Sequence, residues 1–205
     1  MRPFRPLLAP ALAALALLAA STAGAWSRPE LDLSFGQSFG PDGQPSGGGT
    51  SIAFAPMWPA GDRTRFGVSL FADDIGSTIV PLTDLNSGQY LGLSASLHRW
   101  TWGAAWRGDV VALRRPHWSS SLRGEWGWWR IEDDTRGTIL GATSAIGVGA
   151  GLEARRRFAE GHDIGFNVNY RQLFDARESN GRHPWHYATA AVEWCWSGRA
   201  HSTAP

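Results

Sequence analysis

From Leu31 to Trp196 the chain repeats segments of about ten residues in which apolar and polar side chains alternate, and this alternation fixes the fold class. A period of two belongs to a β-strand, whose successive side chains point to opposite faces. In the first segment Leu31, Leu33, Phe35 and Phe39 share one face, and Asp32, Ser34, Gly36 and Ser38 the other. The same sorting sets Ile52, Phe54, Pro56 and Trp58 against Ser51, Ala53, Ala55 and Met57, then Phe66, Val68 and Leu70 against Arg65, Ser69, Phe71 and Asp73. Trp102, Ala104, Trp106 and Val110 oppose Thr101, Arg107 and Asp109, and Leu122, Trp126 and Trp128 oppose Arg123, Glu125 and Trp129. In the last three segments Ile146, Val148 and Leu152 oppose Gly147, Gly149, Gly151, Glu153 and Arg155; Ile164, Phe166, Val168 and Tyr170 oppose Asn167, Asn169 and Arg171; and Val192, Trp194 and Trp196 oppose Tyr187, Glu193 and Cys195.

These segments number eight. An added hairpin through Ser77 to Val80 would make ten, but no turn signal separates Leu97 from Trp102, which favours eight. The connectors alternate as well. Pro59 to Arg63, Leu113 to His117 and Arg157 to His162 are short, whereas Gly40 to Gly49, Asp74 to about His98, Asp133 to Thr143 and Asp175 to Trp185 are long. Short turns at one end and long loops at the other predict an all-β, eight-stranded antiparallel up-and-down transmembrane barrel.

Which face points inward follows from where charge can go. One face carries Asp32, Arg65, Asp73, Arg107, Asp109, Arg123, Glu125, Glu153, Arg155, Arg171 and Glu193, interleaved with glycine. The lumen of an eight-stranded barrel is only wide enough to be filled by side chains. Glycine beside paired arginine and carboxylate fits that space, and bulky Trp, Phe, Leu and Val do not, so the apolar face is expected to meet lipid. A slip of one residue would put the charges into hydrocarbon, at about 2–4 kcal/mol per arginine near the midplane. Trp58, Trp118, Trp194 and Trp196 fall at the short-turn end of their strands, with Trp102, Trp128 and Trp185 near the long-loop end, as two interfacial aromatic girdles would.

The N-terminus predicts export. Arg2 and Arg5 precede the apolar run LLAPALAALALLAA, and Ala23-Gly24-Ala25 supplies small residues for cleavage before Trp26. The domain reading is therefore a signal peptide over 1–25, a barrel over 26–196 and a short tail over 197–205. Of 19 basic residues two lie in the leader and none of the 18 acidic ones does, so the mature chain is formally −1, which gives no support to a nucleic-acid partner. Lysine is absent, so every cationic side chain other than histidine is an arginine, the residue suited to fixed ion-pair networks.

In architecture the stretch Leu31 to Trp196 resembles the small outer-membrane β-barrel family of Gram-negative bacteria, the type of the OmpA transmembrane domain and OmpX. The last strand, YATAAVEWCW, ends on Trp196 with Trp194 two before it, similar to the terminal signal read by the outer-membrane assembly machinery in that family. The tail SGRAHSTAP departs from the pattern of members that end on the aromatic residue. The resemblance implies a bacterial outer-membrane location, lipid and lipopolysaccharide as surroundings, and a monomer.

Chemistry is weakly signalled. His183 and His186 in HPWH are too few for a metal site, so neither a metal nor a cofactor is expected. RESNGRHPWH carries Ser179 and Asn180 in the manner of lipid A deacylases, but Arg177 stands where the basic histidine belongs, and guanidinium accepts no proton. Asp73, Asp74 and His98 at the loop-side end keep a lipid-modifying enzyme open as an alternative, and the inward charges keep a narrow solute channel open. The reading favoured is a barrel with a charged, plugged lumen and long extracellular loops, serving a structural or surface-interaction role.

Overall fold

The computed structural model describes residues 29–40, 49–83, 87–135, 138–174, 177–178, 181–182 and 185–197. The leader assigned to 1–25 and the tail beyond Ser197 lie outside these residues. Eight strands form one closed antiparallel barrel: β1 (Glu30–Phe39), β2 (Gly49–Pro59), β3 (Thr64–Thr83), β4 (Tyr90–Arg114), β5 (Trp118–Thr135), β6 (Thr138–Ala159), β7 (His162–Phe174) and β10 (Trp185–Ser197). Each pairs with its sequence neighbour, and β10 closes the barrel on β1 with Leu31 opposite Trp196 and Leu33 opposite Trp194. A two-stranded ribbon, β8 (Arg177–Glu178) with β9 (Gly181–Arg182), stands in the connector between β7 and β10.

The alternation read from the sequence sets the two surfaces. Inward positions are buried, as at Asp32, Ser34, Ser69, Arg107, Asn167 and Glu193. Their neighbours along each strand are the large apolar residues left outside, including Phe35, Trp106, Trp126, Leu152, Phe166 and Val192, all more than half exposed. An apolar outer surface of this extent has no counterpart on an ordinary water-soluble monomer.

At the short-turn end the connectors are tight. The β6–β7 hairpin turns through Glu160 and Gly161, where φ of 73° lies in the left-handed region that side chains with a Cβ resist. At the other end two of the predicted long loops differ from expectation. Past Asp74, β3 and β4 stay paired as far as Thr83 and Tyr90, and β5 and β6 stay paired as far as Thr135 and Thr138. The strands thus rise beyond the apolar band as extended hairpins. Neither face of such an extension is held to one polarity, so the period-two signal fades although the backbone pairing continues. The stretch Ser77 to Val80 belongs to this extension, opposite His98 to Ala95, and adds no ninth or tenth barrel strand.

Candidate functional site: a charged lumen and a polar outer rim

The lumen is filled in two layers. Nearer the short turns, Asp32, Asp109, Glu153 and Glu193 meet Arg65, Arg107, Arg123 and Arg155, four of each sign. Arg107 Nη2 reaches Asp32 Oδ2 at 2.8 Å, Asp109 Oδ2 at 2.7 Å and Glu193 Oε1 at 3.2 Å. Arg123 spans Asp109 at 3.3 Å, Glu153 at 3.3 Å and Glu193 at 3.0 Å. Arg155 Nη2 donates to Asp32 at 2.6 Å and also pairs with Glu193, while its Nε pairs with Glu153. Arg65 joins this layer to Glu30 at 3.0 Å, near the turn-side mouth. Ser34 Oγ and Asn167 Nδ2 donate to Glu193 Oε2 at 2.9 and 3.0 Å. Ions this deeply buried need such dense mutual pairing to offset their desolvation.

The second layer lies toward the long hairpins and centres on Arg171. Its Nη1 donates to Asp73 at 2.6 Å and its Nε to Glu125 at 2.9 Å. Its guanidinium carbon lies 4.3 Å from the centre of the Phe71 ring. Above it Phe71, Trp129, Ile131, Leu173 and Tyr187 form a buried apolar cluster. Tyr187 ties this cluster to the charges: its hydroxyl donates to Asp73 Oδ2 at 2.7 Å and accepts from Trp129 Nε1 at 3.2 Å. The sequence places Phe71, Trp129 and Tyr187 on the charged face, but charge alone picks out the lumen residues and so passes over these aromatics. Among the lumen side chains lies a void of about 10 Å³, at the lower limit for a single water.

Two inward glycines explain how arginines and carboxylates on non-adjacent strands meet. Gly149 on β6 pairs with Glu125 on one side and Arg171 on the other. A Cβ there would lie 3.1 Å from Glu125 Oε2 and 3.4 Å from Arg171 Cγ, so the missing side chain is the space the ion pair crosses. Gly151, between Arg123 and Asn169, has the Asn169 amide in the same position.

On the outside, Trp102, Trp128, Trp118, Trp194 and Trp196 are between 38% and 52% exposed and Trp58 is partly so. Trp102 and Trp128 touch edge to face, with ring centres 5.4 Å apart. The side chain of Trp185 is outside those described. Opposite Trp102 and one strand step beyond Trp128 the outer face of β5 turns polar, where Arg130 pairs with Glu132 at 2.9 Å. Asp74, Ser77 and His98 share this rim. Asp73, by contrast, points into the lumen. Ser179, Asn180 and His183 lie outside the described residues, and His186 rests against Tyr170 with ring centres 5.7 Å apart.

His98 has a partner at each ring nitrogen. Nδ1 lies 2.9 Å from Ser77 Oγ and Nε2 lies 3.0 Å from Asp74 Oδ1. A regular strand would turn Asp74 and Ser77 to opposite faces, being three residues apart. The register shift between Asp74 and Gly76 adds one residue, so Asp74 faces Trp100 and Ser77 faces His98 on the same side. Gly76, with φ of 93°, makes the bulge and donates its N–H to Asp74 Oδ1 at 2.8 Å.

A closed eight-stranded barrel, apolar outside and ion-paired within, defines the class: this is the small transmembrane β-barrel fold, the one the sequence resembles. Among solved structures, Neisserial surface protein A has this fold, with 12% identity and a TM-score of 0.54 over 82% of this chain and 94% of that one. Ail, the attachment invasion locus protein of Yersinia pestis, aligns at 11% identity and a TM-score of 0.45 over 82% of this chain and 97% of that one. No family model and no curated protein matches the sequence.

Proposed function

We propose that this chain is an integral outer-membrane barrel, exported by its N-terminal leader and inserted as a monomer, with a lumen plugged by its own ion pairs. The observation that carries the reading is the sidedness of the barrel: exposed Trp, Phe, Leu and Val outside and buried arginine and carboxylate inside. The height of the apolar band supports it. From Trp118 to Trp128 along β5, at about 3.4 Å per residue and a tilt of about 40°, the band is about 25 Å tall, the thickness such barrels present to lipid.

In this reading lipid and lipopolysaccharide surround the band, and the last strand, ending on Trp194 and Trp196, is what the assembly machinery engages. The β3–β4 and β5–β6 hairpins stand on the cell exterior, where their part is structural or one of surface contact. The Neisserial neighbour is a surface protein, which agrees with that placement.

The test is to express the chain with its leader in a Gram-negative host. The protein should fractionate with outer membranes, resist carbonate extraction and change gel mobility on heating, and a cysteine placed at Gly88 should react with an impermeant maleimide on intact cells. Soluble periplasmic protein would overturn the reading. In planar bilayers the folded barrel should show no steady conductance, and regular single-channel steps would replace the plugged lumen with a conducting one.

A further inference from the structure

We propose that Ser77, His98 and Asp74 form a nucleophile, base and orienting carboxylate on the outer rim of the barrel, and that the site cleaves carboxyl esters of membrane amphiphiles. The geometry supplies each role. Asp74 accepts a hydrogen bond from His98 Nε2 at 3.0 Å and is itself fixed by the Gly76 N–H at 2.8 Å. With the proton held on Nε2, the lone pair of a neutral imidazole is on Nδ1, 2.9 Å from Ser77 Oγ. That distance is within reach for proton abstraction from the hydroxyl. The His98 ring packs against Trp100, whose centre is 5.2 Å away. Ser38 Oγ donates to the backbone carbonyl of Asp74 and holds the bulge from the β1 side.

The bulge argues for function over accident. Were the three-residue step from Asp74 to Ser77 regular strand, with no bulge, the carboxylate would project to the face opposite Ser77, and bulges re-aim side chains beside active sites. The site is open as well, since the His98 side chain keeps 31% of its surface exposed.

Position selects the substrate. Trp102, Trp100 and His98 follow one another at alternate positions on the outer face of β4, so His98 stands about 14 Å along the strand beyond the Trp102 girdle residue. Resting on the membrane reading above, His98 stands about 10 Å above the girdle at a tilt of about 40°, on the headgroup side of the outer leaflet, so an acyl ester reaches it by rising from the girdle level. The ester carbonyl would enter from the lipid side, across Trp100 and Trp102.

The steps balance with water as the second reactant. Ser77 Oγ attacks the ester carbonyl carbon as its proton passes to His98 Nδ1. The carbon–oxygen bond to the alcohol breaks, and that alkoxide takes the proton from His98. Water then attacks the acyl-Ser77 ester, giving one proton to His98 that returns to Ser77 Oγ, and a fatty acid leaves.

The test treats the full-length barrel, folded in phosphatidylethanolamine vesicles, with a fluorophosphonate and locates the adduct by peptide mass. Flotation of the protein with the vesicles, read in the same samples, reports insertion independently. The expected result is an adduct on Ser77, absent in Ser77→Ala, with fatty acid released from the vesicles and from p-nitrophenyl butyrate. His98→Gln should lower both rates by about a hundredfold or more while still floating and keeping the heat-dependent mobility shift. No adduct, or one that persists in Ser77→Ala, overturns the nucleophile. An adduct with butyrate cleavage and no fatty-acid release overturns the lipid substrate, and protein that fails to float overturns the membrane reading instead.

Discussion

Glu125 on β5 and Arg171 on β7 form an ion pair across an intervening strand, Arg171 Nε donating to Glu125 Oε2 at 2.9 Å over the bare backbone of Gly149. Arg171 serves Asp73 as well, at 2.6 Å. One cation therefore holds two buried carboxylates, and the two ends of this arrangement differ in what their removal leaves behind.

Arg171→Met strands both carboxylates in the lumen and should destabilise the barrel by about 3–5 kcal/mol, the range for breaking a buried pair from one side. Glu125→Leu leaves Arg171 paired with Asp73 and should cost distinctly less. Urea midpoints of heat-dependent gel mobility in detergent would rank them. Equal losses would mean that Asp73 does not share the arginine.

Gly149→Leu fills the space the pair crosses and should cost about 1–3 kcal/mol as an overpacked site. Gly124→Ala is the control, since a Cβ there meets nothing within 4 Å on the outer face, and it should stay within about 0.5 kcal/mol of the parent. If both glycines tolerate substitution equally, the pair does not run over Gly149.

The Tyr187 hydroxyl joins the apolar cluster to Asp73 and accepts from Trp129, Arg171 and Thr101. Tyr187→Phe keeps the ring and removes only these bonds. The expected loss is about 1–3 kcal/mol, as buried groups are left unsatisfied. Trp129 emission, isolated in a background with the lipid-facing tryptophans replaced, should shift on this substitution. An unchanged spectrum and midpoint would remove Tyr187 from the network.

How much of this was legible in the sequence depends on which physical rule each residue obeys. Arg107, Asp109 and Glu193 were readable because a charge in a membrane barrel has one place to go, and strict alternation names the face. Phe71, Trp129 and Tyr187 obey the same alternation but are apolar, so no electrostatic argument separates them from the outer tryptophans; their burial follows from closing the loop-side mouth. The site around His98 was legible only in part. Asp74 and His98 stand out as types, but Ser77 joins them through a one-residue register shift, and a bulge leaves no clear trace in a period-two pattern.

Sidedness itself is open to a direct reading. Leu122 and Val110 face each other across β5 and β4 on the outer surface, 54% and 49% exposed, near the middle of the apolar band that runs from Trp118 to Trp128. In a bilayer that position is hydrocarbon, so Leu122→Arg should cost about 2–4 kcal/mol in unfolding from lipid vesicles. Trp118→Arg, at the turn-side edge of the band beside outward Arg156, should cost only about 0–1 kcal/mol. The depth dependence is decisive, because a soluble barrel would treat both as exposed surface and show small, similar changes. Vesicles of brominated lipid add a second reading of the same geometry. Chains brominated near their ends should quench Trp106 and Trp126 more than Trp118 and Trp196, and the reverse order would place the membrane elsewhere on the barrel.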